Sequence, residues 1–194
     1  KKFVDKGCDL IVGVGFAISA EIVKSAKANP KIKYAVVDDA GEDCDANFNC
    51  KPVANVKGLT FQTDEAAFMA GYLAAGVSRT GKVATYGGAP YPTVTAFMDG
   101  FAQGVFYFNQ VKNKGVRVLG WNRDTKNGEF VGDFANTSKA LQISKNFEQA
   151  GADVIFPVAG GLGGATAQNS MDGGKSVTIW VDTDGFVSAS KYRS

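Results

Sequence analysis

Gly151–Gln168, GADVIFPVAGGLGGATAQ, is the stretch whose residue types and spacing come nearest to a working site. A short apolar run is followed by a glycine-rich turn, then by small residues that can open a helix. In a dinucleotide site that order sets backbone N–H groups around a pyrophosphate, and an acid about twenty residues on takes the ribose hydroxyls. Asp182, in VTIWVDTDG, supplies such an acid. The glycine pattern itself is broken: counting G-x-G-x-x-G from Gly161, the third glycine falls on Thr166. The loop also follows several strand–helix units, whereas the fingerprint usually opens its domain. A dinucleotide-dependent enzyme is thus an alternative, not the main reading. The glycines are read instead as letting backbone approach a ligand closely, with amide donors at a helix N-terminus.

Ligands of open α/β sheets bind at the carboxyl ends of the strands, so the residues following each apolar run matter most. Gly15, Phe16 and Ser19 follow the first run, and Asp38 and Asp39 end the second. KVATYGG leads into APYPTV, and VRVLG into Trp121, Asn122 and Arg123. Gly160 and Gly161 begin the glycine turn, and the last run ends in Asp182, Thr183 and Asp184. Aromatics, acids, an amide and bare backbone suit a neutral polar ligand with a flat ring. Rings stack on the ring, and carboxylates accept from hydroxyls and N–H groups. A phosphate suits the set poorly, because Arg123 is its one basic residue. Each residue has a structural alternative. Phe16 could pack on a helix, Asp38 and Asp39 could be caps or loop acids, Trp121 could be core or surface, and Asp182 could cap a turn.

The chain has no histidine, which excludes mechanisms needing an imidazole base or ligand. Cys8 precedes an apolar run and reads as a buried thiol. Cys44 and Cys50 flank DANFN, where a small disulfide loop is feasible; two loop thiols in a cytosolic protein are the alternative. No second cysteine pair and no histidine exists to complete a zinc site.

Seven apolar, β-branched runs carry these residues: 8–15, 33–39, 55–61, 82–88, 116–122, 152–160 and 177–185. Most are unbroken rather than alternating, as suits parallel strands buried on both faces. Helical segments are predicted at 19–30, 63–78, 93–110 and 135–151. Ile22, Val23 and Ala26 share a face of the first. Phe68, Met69, Tyr72 and Leu73 form the core-facing stripe of the second. Strand–helix alternation means α/β, with helices covering parallel sheets. Residues 40–54 read as a loop between two strands, and a domain boundary falls at 61–63. With 21 basic and 19 acidic residues scattered along the chain, the net charge of +2 gives no support to nucleic-acid or membrane-surface binding. KKFVDKGCDLIVGVG begins like the last turns of a helix, without cap or signal peptide, so a longer parent protein is expected.

GCDLIVGVGF, YAVVDD, TDEAAFMAGYLAAGVSRTGKVATYGG, AFMDGFAQG, GADVIFPVAGGLGGA and VDTDG, in this order, resemble the basic membrane protein family of ABC-importer substrate-binding lipoproteins. The motifs span nearly the whole chain. The resemblance implies a type I periplasmic-binding fold: two α/β lobes, a hinge, and a ligand in the interlobe cleft. Residues 1–61 would be part of the first lobe, 62–185 the second, and 186–194 the start of a return crossover. It further implies a nucleoside ligand (a purine one), an ABC permease as partner, a lipid anchor outside the cytoplasm, no cofactor and no catalysis. Phe16 would line the first lobe's cleft wall and Asp38 end the neighbouring strand. Trp121 would stack on the base, beside Asn122. Gly160 and Gly161 match the glycine turn, and Asp182, with Asp184 beside it, matches the acid that holds ribose hydroxyls. The family's first strands would lie upstream of Lys1, and a ligand-contacting lysine beyond Ser194. The family often has Gln after VDxD, where this chain has Gly185, and GWNRDTKNGEF has no certain counterpart. A sugar or signal-molecule receptor of the same fold is the alternative within this class. A cytosolic regulator would need a DNA-binding helix pair, and none is visible.

Overall fold

Apolar β-branched runs separated by amphipathic segments build two α/β units, which divide after Gln62. The computed structural model describes residues 2–45, 49–173 and 175–192.

In the first unit, α1 (Lys2–Asp5) precedes β1 (Leu10–Val14), α2 (Ser19–Ala28) and β2 (Lys33–Val37). A hairpin of β3 (Glu42–Cys44) and β4 (Cys50–Pro52) then leads to β5 (Val56–Leu59). The sheet order is β1–β2–β5, all parallel. α2 buries Val23 and Ala26, while Leu10, Val12 and Val14 stand exposed on β1. The buried Asn55 fixes the end of α2, its amide donating to the carbonyls of Ala26, Asn29 and Ile32 at 3.0, 3.2 and 2.9 Å. Residues 40–54 are not an open loop. Cys44 and Cys50 face each other in the antiparallel register and are joined by a disulfide, and Lys27 of α2 pairs with Asp43. Polar composition hid this short hairpin, because covalent and ionic ties replace the apolar pattern that marks a strand. Ala46, Asn47 and Phe48, in the DANFN segment, lie outside the described residues, as do Arg193 and Ser194 of the expected return crossover. Cys8 is a free thiol but only part-buried, because the helix end before β1 leaves it near the surface.

The second unit runs α3 (Thr63–Val77), β6 (Lys82–Gly87), α4 (Pro92–Lys112) and β7 (Arg117–Leu119). A hairpin of β8 (Trp121–Asn122) and β9 (Asn127–Gly128) follows, then α5 (Thr137–Gln149), β10 (Val154–Val158), α6 (Gly163–Gly173), β11 (Val177–Thr178) and α7 (Gly185–Ser188). The sheet order is β11–β10–β6–β7, parallel throughout. β10 is buried along its whole length and β6 along nearly all of it, which is why their sequences read as continuous apolar runs. Met98, Phe101 and Val105 of α4 cover one face of the sheet; Ile143 and Phe147 of α5 and Leu162 cover the other.

The expected core stripe of α3 holds for Phe68 and Tyr72, part-buried against Tyr107 and Phe108 of α4, and fails for the other two. Met69 and Leu73 are exposed, and Ala67, Gly71, Ala74 and Ala75 are buried. The cause is close helix packing: a Cβ on Gly71 would lie 2.0 Å from the Phe101 carbonyl oxygen, and one on Gly104 2.0 Å from that of Phe68. Small residues therefore take the closest approach of the two helices, while Met69 and Leu73 face outward. Asp153 ties the turn before β6 to the start of β10, accepting from Ser78 Oγ at 2.7 Å and from the N–H groups of Arg79 and Thr80 at 2.6 and 3.0 Å.

Candidate functional site

The carboxyl end of the second unit's sheet carries a glycine floor under two aromatic rings. β10 stops at Val158, Gly160 turns the chain with φ +53°, and a single 3-10 turn (Gly160–Leu162) leads into α6. A Cβ built on Gly161 meets nothing within 4 Å, so its backbone borders open space. Beside this turn, residues 129–132 prolong the sheet past the end of β6. Gly87 N–H donates to Glu129 O at 3.0 Å, Val131 N–H to Gly87 O at 3.0 Å, and Gly132 N–H to Gly88 O at 2.7 Å. That extension carries Phe134 over Gly88, where a Cβ would fall 2.3 Å from the ring. Tyr91, just before α4, stacks on Phe134 with centroids 6.3 Å apart and planes 24° from parallel. In the first turn of α4 the buried hydroxyl of Thr93 has no hydrogen-bond partner.

The first unit offers acids at the same end of its sheet. Gly15, at φ +98°, releases the chain from β1 into a 3-10 turn (Phe16–Ile18) before α2. Asp39 is occupied, accepting from Ser19 Oγ and, at 2.8 Å, from the N–H of Gly41. Asp38 holds φ +66°, and its carboxyl is raised above the ordinary aspartate value by burial and then by the neighbouring charge of Asp39. A strained, part-buried acid at a strand end is a typical binding group.

The two units repeat one βαβ design in register. Leu10 pairs with Lys33 in the first, and Val154 with Val177, both 144 positions on, in the second. The 3-10 turns at 16–18 and 160–162 match at that spacing, as do the starts of α2 and α6. So do GxDxI at Gly7–Ile11 and Gly151–Ile155, and the pairs Val37–Asp38 and Val181–Asp182. Asp38 and Asp182 share the left-handed backbone, φ +66° and +67°. The ladder beside β10 continues through Ile179 N–H to Ile155 O at 2.9 Å, three residues before Asp182.

Trp121, Asn122 and Asp184 make structural contacts, while Phe16 stands at its expected strand end. Gly120, at φ +81°, ends β7 and turns Trp121 into the core, 6% exposed, with its indole N–H donating to Asp99 Oδ1 at 3.2 Å. Asn122 serves the hairpin turn, its Oδ1 accepting from the N–H groups of Asp124 and Thr125. Asp184 caps α7 by accepting from Phe186 N–H at 2.8 Å. Phe16 is part-buried in its turn. Sequence reasoning did not single out Phe134 or Tyr91. Tyr91 sits in the quoted APYPTV, but Phe134 lies in a segment with no strand period, and only the main-chain bonds to Gly87 and Gly88 bring it to the site. Among the described residues no group of three or more His, Cys, Asp or Glu could hold a metal ion.

Two units of parallel sheet flanked by helices, with acids and glycine turns at the strand ends, define the type I periplasmic-binding fold of ABC solute-binding proteins. A crystal structure of an ABC solute-binding protein from Aeropyrum pernix superposes with a TM-score of 0.67 at 26% identity, covering 92% of this chain and 47% of that one. The chain belongs to the Bmp family, described as PnrA-like ABC transporter substrate-binding proteins, whose profile it matches over residues 1–193. It is 32% identical over 184 residues to basic membrane protein A1 of Borrelia garinii, covering 93% of this chain and 48% of that protein. It is 29% identical over 158 residues to the ABC transporter nucleoside-binding protein BmpA of Lactococcus lactis, covering 81% and 39%. The chain thus spans about half the length of the curated relatives it matches or less.

Proposed function

We propose that this chain belongs to the extracytoplasmic solute-binding component of an ABC importer, and that its ligand is a nucleoside with a purine base. The observation that carries the reading is the repeated left-handed aspartate, Asp38 directly after β2 and Asp182 four residues beyond β11. Ionised carboxylates there accept from sugar hydroxyls and base N–H groups, with charge-assisted strength. Phe134 and Tyr91 offer a flat apolar surface for the base. Phe16 adds a ring at the equivalent turn of the first unit, and Gly160 and Gly161 bring bare backbone close to the ligand. The nucleoside-binding relative from Lactococcus lactis supports the ligand class. The partner is a membrane permease, with the protein held at the membrane by a lipid anchor. No helix among the described residues is long and apolar enough to cross a membrane.

A thermal-shift panel tests this: adenosine, guanosine, inosine, uridine, ribose and NAD at equal concentration. A ligand that binds only the folded state raises the midpoint. The proposal expects purine nucleosides to give the largest shift. A larger shift with ribose would replace it by a sugar receptor, and a shift with NAD alone would replace it by a dinucleotide site.

A further inference from the structure

The aromatic wall of the site is held in place from a distance. The place of Phe134 follows from the path of residues 129–134, and that path begins at the β8–β9 hairpin, where Glu129 N–H donates to Gly120 O at 2.8 Å. The hairpin is two short strands with a turn at Lys126, whose φ is +53°, and a two-residue ladder is too small to hold itself in water. One carboxylate ties the first strand and the turn to α4. Asp99 Oδ1 accepts from the Trp121 indole N–H at 3.2 Å on the first strand, and Oδ2 pairs with Lys126 Nζ at 2.8 Å at the turn. Gln103, one helical turn on, donates to the same Oδ2 at 3.4 Å. Burial alone would raise the Asp99 carboxyl, but the bonds from Lys126, Trp121 and Gln103 and the charge of Lys126 outweigh it and hold the group below the ordinary value.

From this anchor the packing continues to the site. Trp121 meets Phe130 edge-to-face, with centroids 6.3 Å apart. Phe130 lies against Gly87, where a Cβ would be 2.6 Å from its ring, and Phe134 lies in the same way against Gly88. Asp99 is seven residues into α4, about 10 Å along the helix from the N-terminus that borders the site.

We infer that Asp99 is a positioning residue for ligand binding: by joining Trp121 and Lys126 to α4, it sets the place of the Phe130–Phe134 wall without touching the ligand. The inference rests on the nucleoside-binding reading for its effect on affinity, but not for its effect on the wall.

The test uses Asp99→Ala, Asp99→Asn and Trp121→Phe, with two readouts. Amide hydrogen exchange at Val131 and Gly132 reports the wall directly, with β10 as the internal reference. Asp99→Ala should speed exchange at those two amides by about tenfold while β10 stays as in wild type. Asp99→Asn keeps an acceptor for the indole but loses the Lys126 pair, and should fall between. Calorimetric titration with the nucleoside that gives the largest thermal shift should show Asp99→Ala weakened about tenfold. Combining it with Trp121→Phe should weaken binding no further than the stronger single change, as expected of one linkage. Unchanged exchange at Val131 and Gly132 would overturn the inference whatever the ligand. Faster exchange with unchanged affinity would also overturn it, leaving Asp99 a stability residue. Absence of any nucleoside binding by the wild type would count against the proposed function alone, and the exchange result would still decide the role of Asp99 in holding the wall.

Discussion

Replacing Gly161 by alanine separates what the fold needs from what a ligand needs. Gly161 lies in the 3-10 turn after β10, outside the left-handed region, with nothing within 4 Å of an added Cβ. The folded state accepts the methyl without strain, and the unfolded chain loses freedom. Stability should therefore hold or rise by about 0.4–1 kcal/mol. A ligand resting on that backbone meets a different surface. It must retreat by roughly a carbon–carbon bond, about 1.5 Å, which breaks one or two hydrogen bonds made at the turn. The loss is about 1.5–3 kcal/mol, or ten- to a hundredfold in Kd. Gly160→Ala is the contrast: its φ of +53° makes any side chain costly, so stability should fall by about 1–2 kcal/mol. The assay is calorimetric titration with a purine nucleoside, beside thermal melts of the same samples. Gly161→Ala binding within twofold of wild type, at unchanged stability, would remove the glycine turn from the site.

Asp182→Ala should weaken nucleoside binding by about 2–4 kcal/mol through lost charge-assisted bonds, measured in the same titration. Asp38 should make binding pH-dependent. Burial, then Asp39, raise its carboxyl above the ordinary 3.8, and on the proposed reading it accepts from the ligand with charge-assisted strength only when ionised. Affinity should thus be full above the raised value and fall as pH drops through it, sooner than an ordinary aspartate would dictate. Titrations from about pH 7 to about pH 4 should show this slope, and Asp38→Asn should flatten it. Asn55→Ala should destabilise the first unit by about 2–3 kcal/mol in urea unfolding, since three carbonyls at the end of α2 lose one donor group.

Much of the fold was legible because β6 and β10 are buried on both sides and therefore read as unbroken apolar runs. The helix at 135–151 was legible because Ile143 and Phe147 carry its pattern and Gly151, at φ +94°, stops it. Burial of Met69 and Leu73 was misread because period alone does not tell which stripe of an apolar helix faces inward. That depends on Gly100 and Gly104 of α4, which come near only in three dimensions. Asp38, Asp182, Gly160 and Gly161 could be placed after their apolar runs because strand ends are predictable. Trp121 was placed at a strand end too, but Gly120 bends the chain there and Asp99 takes the indole. Phe134 was invisible because nothing local marks a segment that borrows its order from the edge of β6. The matching βαβ frames were also readable, from GxDxI and VD recurring at one spacing, had the two halves been laid side by side.

That repeat separates what the two halves share from where they differ. The aspartate, its backbone hand and the strand register are common to both halves. The neighbouring positions differ: Phe16 answers to Gly160, and Asp39 to Thr183. Each half therefore carries one frame with its own side chains beside it, so the frame can be kept while its neighbours are changed one half at a time. Position 160 is the exception, because its φ of +53° makes any side chain there costly.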